Sequence, residues 1–297
     1  HKEIKMSYEL IDGKLVASKI REEIKDRVVE IKSKHSRVPG LAAILVGEDP
    51  ASEIYVRNKR KACEDVGIYS EEHKLSGDIA QEDLLKLINR LNGDENINGI
   101  LVQLPLPEHI DDSTVLNSVS PEKDVDGFHP VNLGKLVQGR TDGMLPCTPH
   151  GVMKLLESAS VELTGKRVVI IGRSRIVGMP MALLLSRKGA DATVTVPHST
   201  TPEIGKLSSN ADILIAAVGK PEFVSSDWVK EGAVVVDIGV NRVDDSTQES
   251  GYRITGDVHP DASNVASLIS PVPGGVGPMT IAMLMSNTIQ SALLRNA

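Results

Sequence analysis

The sequence predicts a two-domain α/β fold with largely parallel sheets, and three observations support this fold class. Continuous apolar runs near residues 41–46 and 99–104 are typical of strands buried on both faces, and an amphipathic helical pattern separates them. A second series of apolar runs begins at residue 165, where a glycine loop and an apolar helix follow the first run. The length of 297 residues fits two domains.

The elements follow from hydrophobic periodicity and from the glycines and prolines that end each pattern. Pro39 and Gly40 separate the first helix from the first strand, and Pro105 and Pro107 end the strand that begins at Gly99. A rigid connector at residues 146–149 marks the predicted domain boundary. The predicted helices are 15–31, 52–66, 82–91, 152–156, 181–185 and 279–294, and the predicted strands are 41–46, 73–75, 99–104, 192–196, 213–217, 233–237 and one within 165–172.

Composition and charge exclude several classes of function. The net charge of −7, without a tract of basic and aromatic residues, argues against nucleic-acid binding. No apolar run approaches 18 residues, so we expect no membrane span. The two cysteines, Cys63 and Cys147, form no disulfide framework and fit a reducing compartment. Zinc-type and P-loop motifs are missing from the sequence, so we predict neither a metal nor an ATP-type phosphate loop.

The helix predicted at residues 52–66 carries an unusual lysine. At 100° per residue, Lys59 falls on the apolar face with Tyr55 and Val56, whereas Arg57 and Lys61 point to solvent. An ammonium on that face must extend to solvent, find a partner, or lose its proton more easily than a free lysine. Two interpretations remain open here: a structural lysine paired with a carboxylate, or a functional lysine.

Polar candidates lie where neighbouring strands end. Gln103 is close to the carboxyl end of its strand, the edge where open α/β sheets bind ligands. Asp124 and Asp126 lie in a polar loop that closes at Gly127, and short carboxylates of this kind can accept hydrogen bonds from an N–H-rich ring. Each feature also has a plain structural interpretation, as a strand end and as a turn.

The glycine loop predicts a dinucleotide site. Gly172 and Gly178 are six residues apart, which departs from the usual GxGxxG spacing, but the next strand follows about 20 residues later, as in a dinucleotide-binding βαβ unit. That strand ends without an acidic residue for ribose hydroxyls. Arg173 and Arg175 could pair with a 2′-phosphate, so we predict NADP rather than NAD. The alternative is that both arginines are ordinary surface charges.

A run rich in proline and glycine at residues 270–280 precedes the last predicted helix. Such a segment is rigid and can approach a ligand closely. Pro278 is predicted at the first helical position, where its missing N–H costs nothing.

Together these stretches resemble one family, the bifunctional methylenetetrahydrofolate dehydrogenase/cyclohydrolases (FolD family). The resemblance runs from about residue 11 to 294. The motifs that carry it lie at residues 55–62, 99–107, 121–127, 146–149, 172–178 and 271–280.

The resemblance implies a fold and an activity. It implies a catalytic folate-binding domain at 6–149, completed by a C-terminal helix at 279–297, and a Rossmann-type NADP-binding domain at 150–278, with a cleft between them. It also implies NADP-dependent oxidation of 5,10-methylenetetrahydrofolate to the methenyl form, followed by hydrolysis to 10-formyltetrahydrofolate. We expect a homodimer in the cytoplasm, with a mitochondrial or plastid matrix left open. We expect neither nucleic acid nor a membrane as a partner.

The resemblance also assigns roles to residues. Lys59 matches the general acid/base of the hydrolysis, Gln103 the residue that positions it, and Tyr55 the aromatic that packs on folate. Asp126 matches the carboxylate that holds the pterin, and Asp124 is the weaker candidate. The remaining substrate positions are Leu104, Pro273, Gly274 and Gly275, and the cofactor positions are Gly172, Arg173, Ser174, Ile176, Val177, His198, Ser199, Thr148, Val218, Gly219 and Ile238.

Two alternatives stay open at this point. One is an oxidoreductase similar to shikimate dehydrogenase, and the other is a non-enzymatic NADP-binding regulator. Neither of them requires the Pro/Gly run at residues 270–280 or a lysine on an apolar helix face.

Overall fold

The computed structural model describes residues 8–296 and divides into two compact units. The N-terminal unit holds residues 18–147 and 281 onward, and the C-terminal unit holds residues 148–280 and those up to residue 17. The predicted domain ends at residues 6 and 297 lie outside the described residues. No helix within residues 8–296 has the length and hydropathy needed to cross a membrane.

The N-terminal unit is built on a three-stranded parallel sheet in the order β3-β2-β4. The central strand, β2, is buried along its whole length, which explains its uninterrupted apolar sequence. The strands are β2 (Gly40–Val46), β3 (Tyr69–Leu75) and β4 (Gly99–Val102). The helices are α1 (Gly13–His35), α2 (Pro50–Val66), α3 (Gln81–Gly93), α4 (Asp112–Ser118) and α5 (Pro130–Val137).

The C-terminal unit contains a six-stranded sheet in the order β1-β11-β8-β7-β5-β6, and its described pairings are all parallel. Its strands are β1 (Glu9–Leu10), β5 (Arg167–Ile171), β6 (Thr193–Thr195), β7 (Ile213–Ala216), β8 (Val234–Asp237) and β11 (Leu268–Ile269). The helices are α6 (Cys147–Ser158), α7 (Gly178–Ser186) and α8 (Ile204–Ser208), and a separate hairpin is formed by β9 (Asn241–Asp244) and β10 (Tyr252–Thr255).

The strand order of this sheet creates a topological switch point. From β5 the chain moves to β6 on one side and then returns to β7 on the other side of β5. The crevice outside the carboxyl ends of β5 and β7 is the place where open α/β sheets bind ligands. The predicted α/β class with parallel sheets is confirmed.

The last helix, α9 (Val276–Asn296), returns to the N-terminal unit, as predicted. Its Ser291 hydroxyl donates to the carbonyl of Asn98 at 2.6 Å, and Arg295 donates to the carbonyl of Ile97 at 3.0 Å. The prediction that Pro278 opens this helix is wrong, because Val276 and Gly277 are already helical. Pro278 is tolerated as the third residue, since the first four helical N–H groups have no acceptor within the helix.

Candidate functional site

Helix α2 carries the lysine that the sequence singled out. The Asp49 carboxylate caps its first turn by accepting from the Ser52 N–H at 2.8 Å, and Gly67 ends the helix with φ of 82°. The predicted helix is therefore confirmed, with its start at Pro50. The placement of Tyr55 on the buried stripe is wrong, because Tyr55 is 43% exposed. It lies at the margin of the stripe and leaves its ring open to a ligand.

Lys59 is partly buried, and its hydrogen-bond partner is an amide. Its Nζ donates to Gln103 Oε1 at 3.1 Å. The Gln103 amide is itself oriented, since its Nε2 donates to the carbonyl of Leu104 at 2.7 Å. Among the described residues, Lys59 forms no ion pair with a carboxylate, so the structural interpretation lacks the partner it requires. Lys59, Gln103 and Leu104 thus form one group at the end of β4.

Asp126 joins this group from a segment beside β4. Asp124 forms a parallel bridge with Ile100, so the chain leads Asp126 toward the carboxyl end of that strand. Burial raises the pKa of the Asp126 carboxyl to about 6, whereas the charge of nearby Lys59 acts in the opposite direction and Asp124 adds to the increase. Within residues 8–296, no group donates a hydrogen bond to this carboxylate. An acceptor without a donor beside a lysine suits an N–H-rich ligand.

The other acid of the loop has a structural task. Asp124 is buried and accepts from the N–H groups of Phe128 at 3.1 Å and His129 at 2.8 Å, and from the Asn132 amide at 2.8 Å. These contacts satisfy both of its oxygens. Burial nevertheless raises its pKa. The two carboxylates therefore differ, because the oxygens of Asp124 are occupied by donors from the described residues and those of Asp126 are not.

A residue that the sequence reasoning missed fixes the backbone around Asp126. The buried Asn287 of α9 donates from Nδ2 to the carbonyl of Val125 at 2.7 Å and to that of Leu145 at 2.9 Å. Cys147 donates its thiol to the same Val125 carbonyl at 3.1 Å and its N–H to the Asp126 carbonyl at 3.2 Å. Burial raises the pKa of the Cys147 thiol well above its usual value, so the thiol stays protonated as a donor. The available signal was an asparagine within a long and mostly apolar helix.

In the C-terminal unit, the glycine loop lies at the switch point. A Cβ on Gly172 would lie 2.1 Å from the carbonyl oxygen of Ala217, and one on Gly178 would lie 2.1 Å from that of Gly172. Only glycine permits this close approach of the loop to β7 and to the start of α7. The βαβ unit and the tight turn therefore fit a dinucleotide, with its phosphates near the first turn of α7.

Most of the predicted cofactor residues surround this crevice. Arg173 and Ser174 are exposed, and the Ser174 hydroxyl accepts from the N–H groups of Val177 at 3.1 Å and Gly178 at 3.4 Å. His198 contacts Thr200 through Nδ1 at 2.9 Å. The predicted residues at the carboxyl ends of the strands or in the loops after them are Gly172, Ile176, Ser199, Val218, Gly219 and Ile238.

The remaining predicted positions also lie in the C-terminal unit. Thr148, near the start of α6, shares a hydrogen bond of 3.0 Å with Thr280. The segment with Pro273, Gly274 and Gly275 precedes α9, and its backbone packs against α1, where a Cβ on Gly13 would lie 1.8 Å from the Gly275 carbonyl oxygen. The close packing explains the density of glycine in this segment.

Comparison with known proteins decides the family. Residues 11–126 match the catalytic domain described as tetrahydrofolate dehydrogenase/cyclohydrolase, and residues 146–296 match the NAD(P)-binding domain of the same name. The chain belongs to the tetrahydrofolate dehydrogenase/cyclohydrolase family.

Individual relatives of this family are similar over nearly their full length. The Bifunctional protein FolD of Moorella thermoacetica is 53% identical over 97% of this chain and 99% of its own. The FolD crystal structure from Campylobacter jejuni has a TM-score of 0.92 and 51% identity, covering 97% of this chain and 100% of its own. The Trypanosoma brucei FolD, described as complexed with NADP cofactor and inhibitor, has a TM-score of 0.92 and 42% identity, covering 97% and 98%.

Proposed function

We propose that the chain catalyses two consecutive reactions on a folate. The first is NADP-dependent oxidation of 5,10-methylenetetrahydrofolate to the methenyl form, and the second is hydrolysis of that form to 10-formyltetrahydrofolate. Membership of a family described by both activities supports this proposal. The shikimate-dehydrogenase-like and regulatory alternatives are not favoured, because both units match the folate family.

For the oxidation, the main task of the protein is orientation. When bound, NADP⁺ supplies the hydride acceptor. The lone pair of the folate nitrogen drives departure of the hydride, so no strong acid or base is required. We assign phosphate binding to the glycine loop at residues 172–178 and recognition of the 2′-phosphate to Arg173, whose exposed guanidinium is at the start of that loop. Pro273, Gly274 and Gly275 are proposed as substrate contacts.

For folate binding, the N-terminal unit offers an acceptor and an aromatic surface. At neutral pH the Asp126 carboxyl, with a pKa of about 6, is ionised and can accept from the pterin N–H and amino groups. Tyr55, one helical turn before Lys59, can pack its exposed ring against the folate. Leu104 contributes the carbonyl that orients Gln103.

For the hydrolysis, the hydrogen bond between Lys59 and Gln103 carries the proposal. Water must lose a proton as it adds to the methenyl carbon, and a ring nitrogen must gain one as the ring opens. Lys59 Nζ is held by a neutral amide at 3.1 Å, so it is positioned without being committed to a carboxylate. It can therefore transfer these protons, a contribution of about 10²–10⁴-fold for a well-placed group.

The test is Lys59→Met, with the exposed Lys61→Met on the same helix as the matched control. We expect Lys59→Met to slow methenyl hydrolysis by about 10²–10⁴-fold while folate binding persists, and Lys61→Met to behave as wild type. Loss of the methenyl absorbance reports hydrolysis, and NADPH absorbance reports oxidation. Undiminished hydrolysis in Lys59→Met would remove the assigned role, and a wild-type chain that forms no NADPH would refute the dehydrogenase.

The domain ranges, the assembly and the compartment belong to the same proposal. We assign folate binding to residues 6–149 with 279–297, and cofactor binding to 150–278. We also propose a homodimer, which light scattering of the purified protein tests directly. The cytoplasm remains the predicted compartment, with the organelle matrices left open.

A further inference from the structure

Two buried carboxylates in the C-terminal unit have no part in the chemistry described above. Asp257 is 0% exposed, and Asp237, the last residue of β8, is 4% exposed. Among the described residues, neither of them forms an ion pair, and their partners are mainly backbone N–H groups. Burying two carboxylates without a positively charged partner is costly, which indicates that they fix the backbone segments whose N–H groups they accept from.

Asp257 holds the segment that follows β7. Its Oδ2 accepts from the N–H groups of Val218 at 2.6 Å and Gly219 at 2.9 Å, and its Oδ1 accepts from that of Lys220 at 3.0 Å. Three successive N–H groups therefore converge on one carboxylate. Asn241 donates a fourth bond to Oδ1 at 2.9 Å. We call residues 217–220 the cofactor loop, because Val218 and Gly219 are proposed cofactor contacts.

Asp237 in turn holds Asp257. Its Oδ1 accepts from the Asp257 N–H at 2.9 Å, and its Oδ2 accepts from that of Val258 at 2.9 Å. Glycines cover both carboxylates closely, since a Cβ on Gly239 would lie 2.2 Å from Asp257 Oδ1 and one on Gly256 would lie 1.8 Å from Asp237 Oδ2. A side chain on either glycine would therefore collide with the carboxylate that the glycine covers.

The cofactor loop lies at the switch point, where Ala217 approaches Gly172 of the glycine loop. We infer that Asp257 is a positioning residue for the dinucleotide, acting through the conformation of the cofactor loop. The inference rests on the proposed dehydrogenase function. A single rigid carboxylate fixes three consecutive peptide groups, so the loop is preorganised before the cofactor binds and the ordering cost is removed from binding.

The test is Asp257→Asn, which preserves shape but places an amide N–H₂ against backbone donors. Losing a charge-assisted hydrogen bond predicts about 10- to 100-fold weaker NADP binding by titration calorimetry. In the absence of NADP, amide hydrogen exchange at residues 217–220 should be faster in Asp257→Asn than in the wild type. The matched control is Asp212→Asn at the amino end of β7, where the carboxylate also accepts from a backbone N–H, that of Arg167 at 2.9 Å.

The outcomes separate this inference from the proposed function. Methenyl hydrolysis requires no NADP and uses residues of the N-terminal unit, so Asp257→Asn should retain it, and the fluorescence of Trp228 shows whether the C-terminal unit is folded. NADP affinity and loop exchange within twofold of wild type in a folded Asp257→Asn protein would overturn the inference and leave the dehydrogenase intact. If Asp257→Asn does not fold, amide exchange of the wild type without NADP decides, because residues 217–220 that become protected only when NADP binds are not preorganised, and that result overturns the inference equally. Wild-type protein that binds no NADP would refute the proposed function itself.

Discussion

Asp126→Asn should stabilise the protein while impairing its function. The asparagine keeps the shape of the side chain but removes a charge whose burial raises the pKa from 3.8 to about 6. At about 1.4 kcal/mol per pH unit, this difference corresponds to at most about 3 kcal/mol of lost stability in the wild type when the carboxylate is ionised. The same charge is the proposed acceptor for the pterin, so stability and binding oppose each other here.

The stability difference between Asp126→Asn and the wild type should increase with pH. Below pH 3.8 the carboxyl is protonated in both the folded and the unfolded chain, and burial then costs nothing. Between pH 3.8 and about 6 the unfolded chain ionises while the folded chain keeps its proton, so the wild type progressively loses stability relative to Asp126→Asn, and above about 6 the loss is complete. The advantage of the variant should therefore reach at most about 3 kcal/mol at pH 8 and about half of its pH 8 value at pH 5.

Urea unfolding followed by far-ultraviolet circular dichroism at pH 5 and pH 8 measures this advantage. Fluorescence of Trp228, the single tryptophan of the chain, would report on the C-terminal unit instead. Asp124→Asn is the comparison, because its amide keeps only one oxygen for three donors and sets an N–H₂ group against a backbone N–H, so it should gain less stability than Asp126→Asn. An Asp126→Asn protein no more stable than wild type at pH 8, or one that keeps its affinity for folate, would refute the reasoning.

Two further substitutions test the positioning of Asp126 and the recognition of the 2′-phosphate. Asn287→Leu removes the donor to the Leu145 carbonyl and leaves the Val125 carbonyl with only the Cys147 thiol, so we expect a loss of about 1–3 kcal/mol in unfolding free energy and a higher KM for folate; an unchanged KM would contradict the positioning of Asp126. Arg173→Ala should lower the preference for NADP over NAD about tenfold, measured as the ratio of kcat/KM values. Arg187→Ala, exposed in the same unit, should leave the ratio unchanged, and an equal ratio in both variants would mean that the 2′-phosphate is bound elsewhere.

Local patterns predicted most of the secondary structure. The apolar runs at residues 41–46 and 213–217 became β2 and β7 within one residue at each end, because strands buried on both faces need continuous apolar sequence. Helix α2 and its end at Gly67 followed from periodicity and glycine chemistry. By contrast, β1 has two residues and pairs with β11 more than 250 positions away, so it leaves no periodic signal.

Residues of the candidate site could be predicted from the sequence where the residue type does not fit the local hydrophobic pattern. Lys59 stood out because a charge on an apolar helix face is anomalous, and the resemblance supplied its partner Gln103. Asn287 and Asp257 were missed because their meaning depends on contacts across the fold, with a separation of 162 residues for Asn287 and Val125. A single sequence does not show which distant residues contact each other in the fold.

The division of α9 between the two units has a consequence for the order in which the protein matures on the ribosome. Residues 281–296 complete the N-terminal unit, yet they are synthesised only after the whole of residues 148–280. Until they emerge, the carbonyls of Asn98 and Val125 lack the donors that Ser291 and Asn287 provide. A nascent chain can therefore form the six-stranded sheet while the segment that carries Asp126 is still loose. Catalytic competence should appear late in synthesis, after the dinucleotide-binding half has folded.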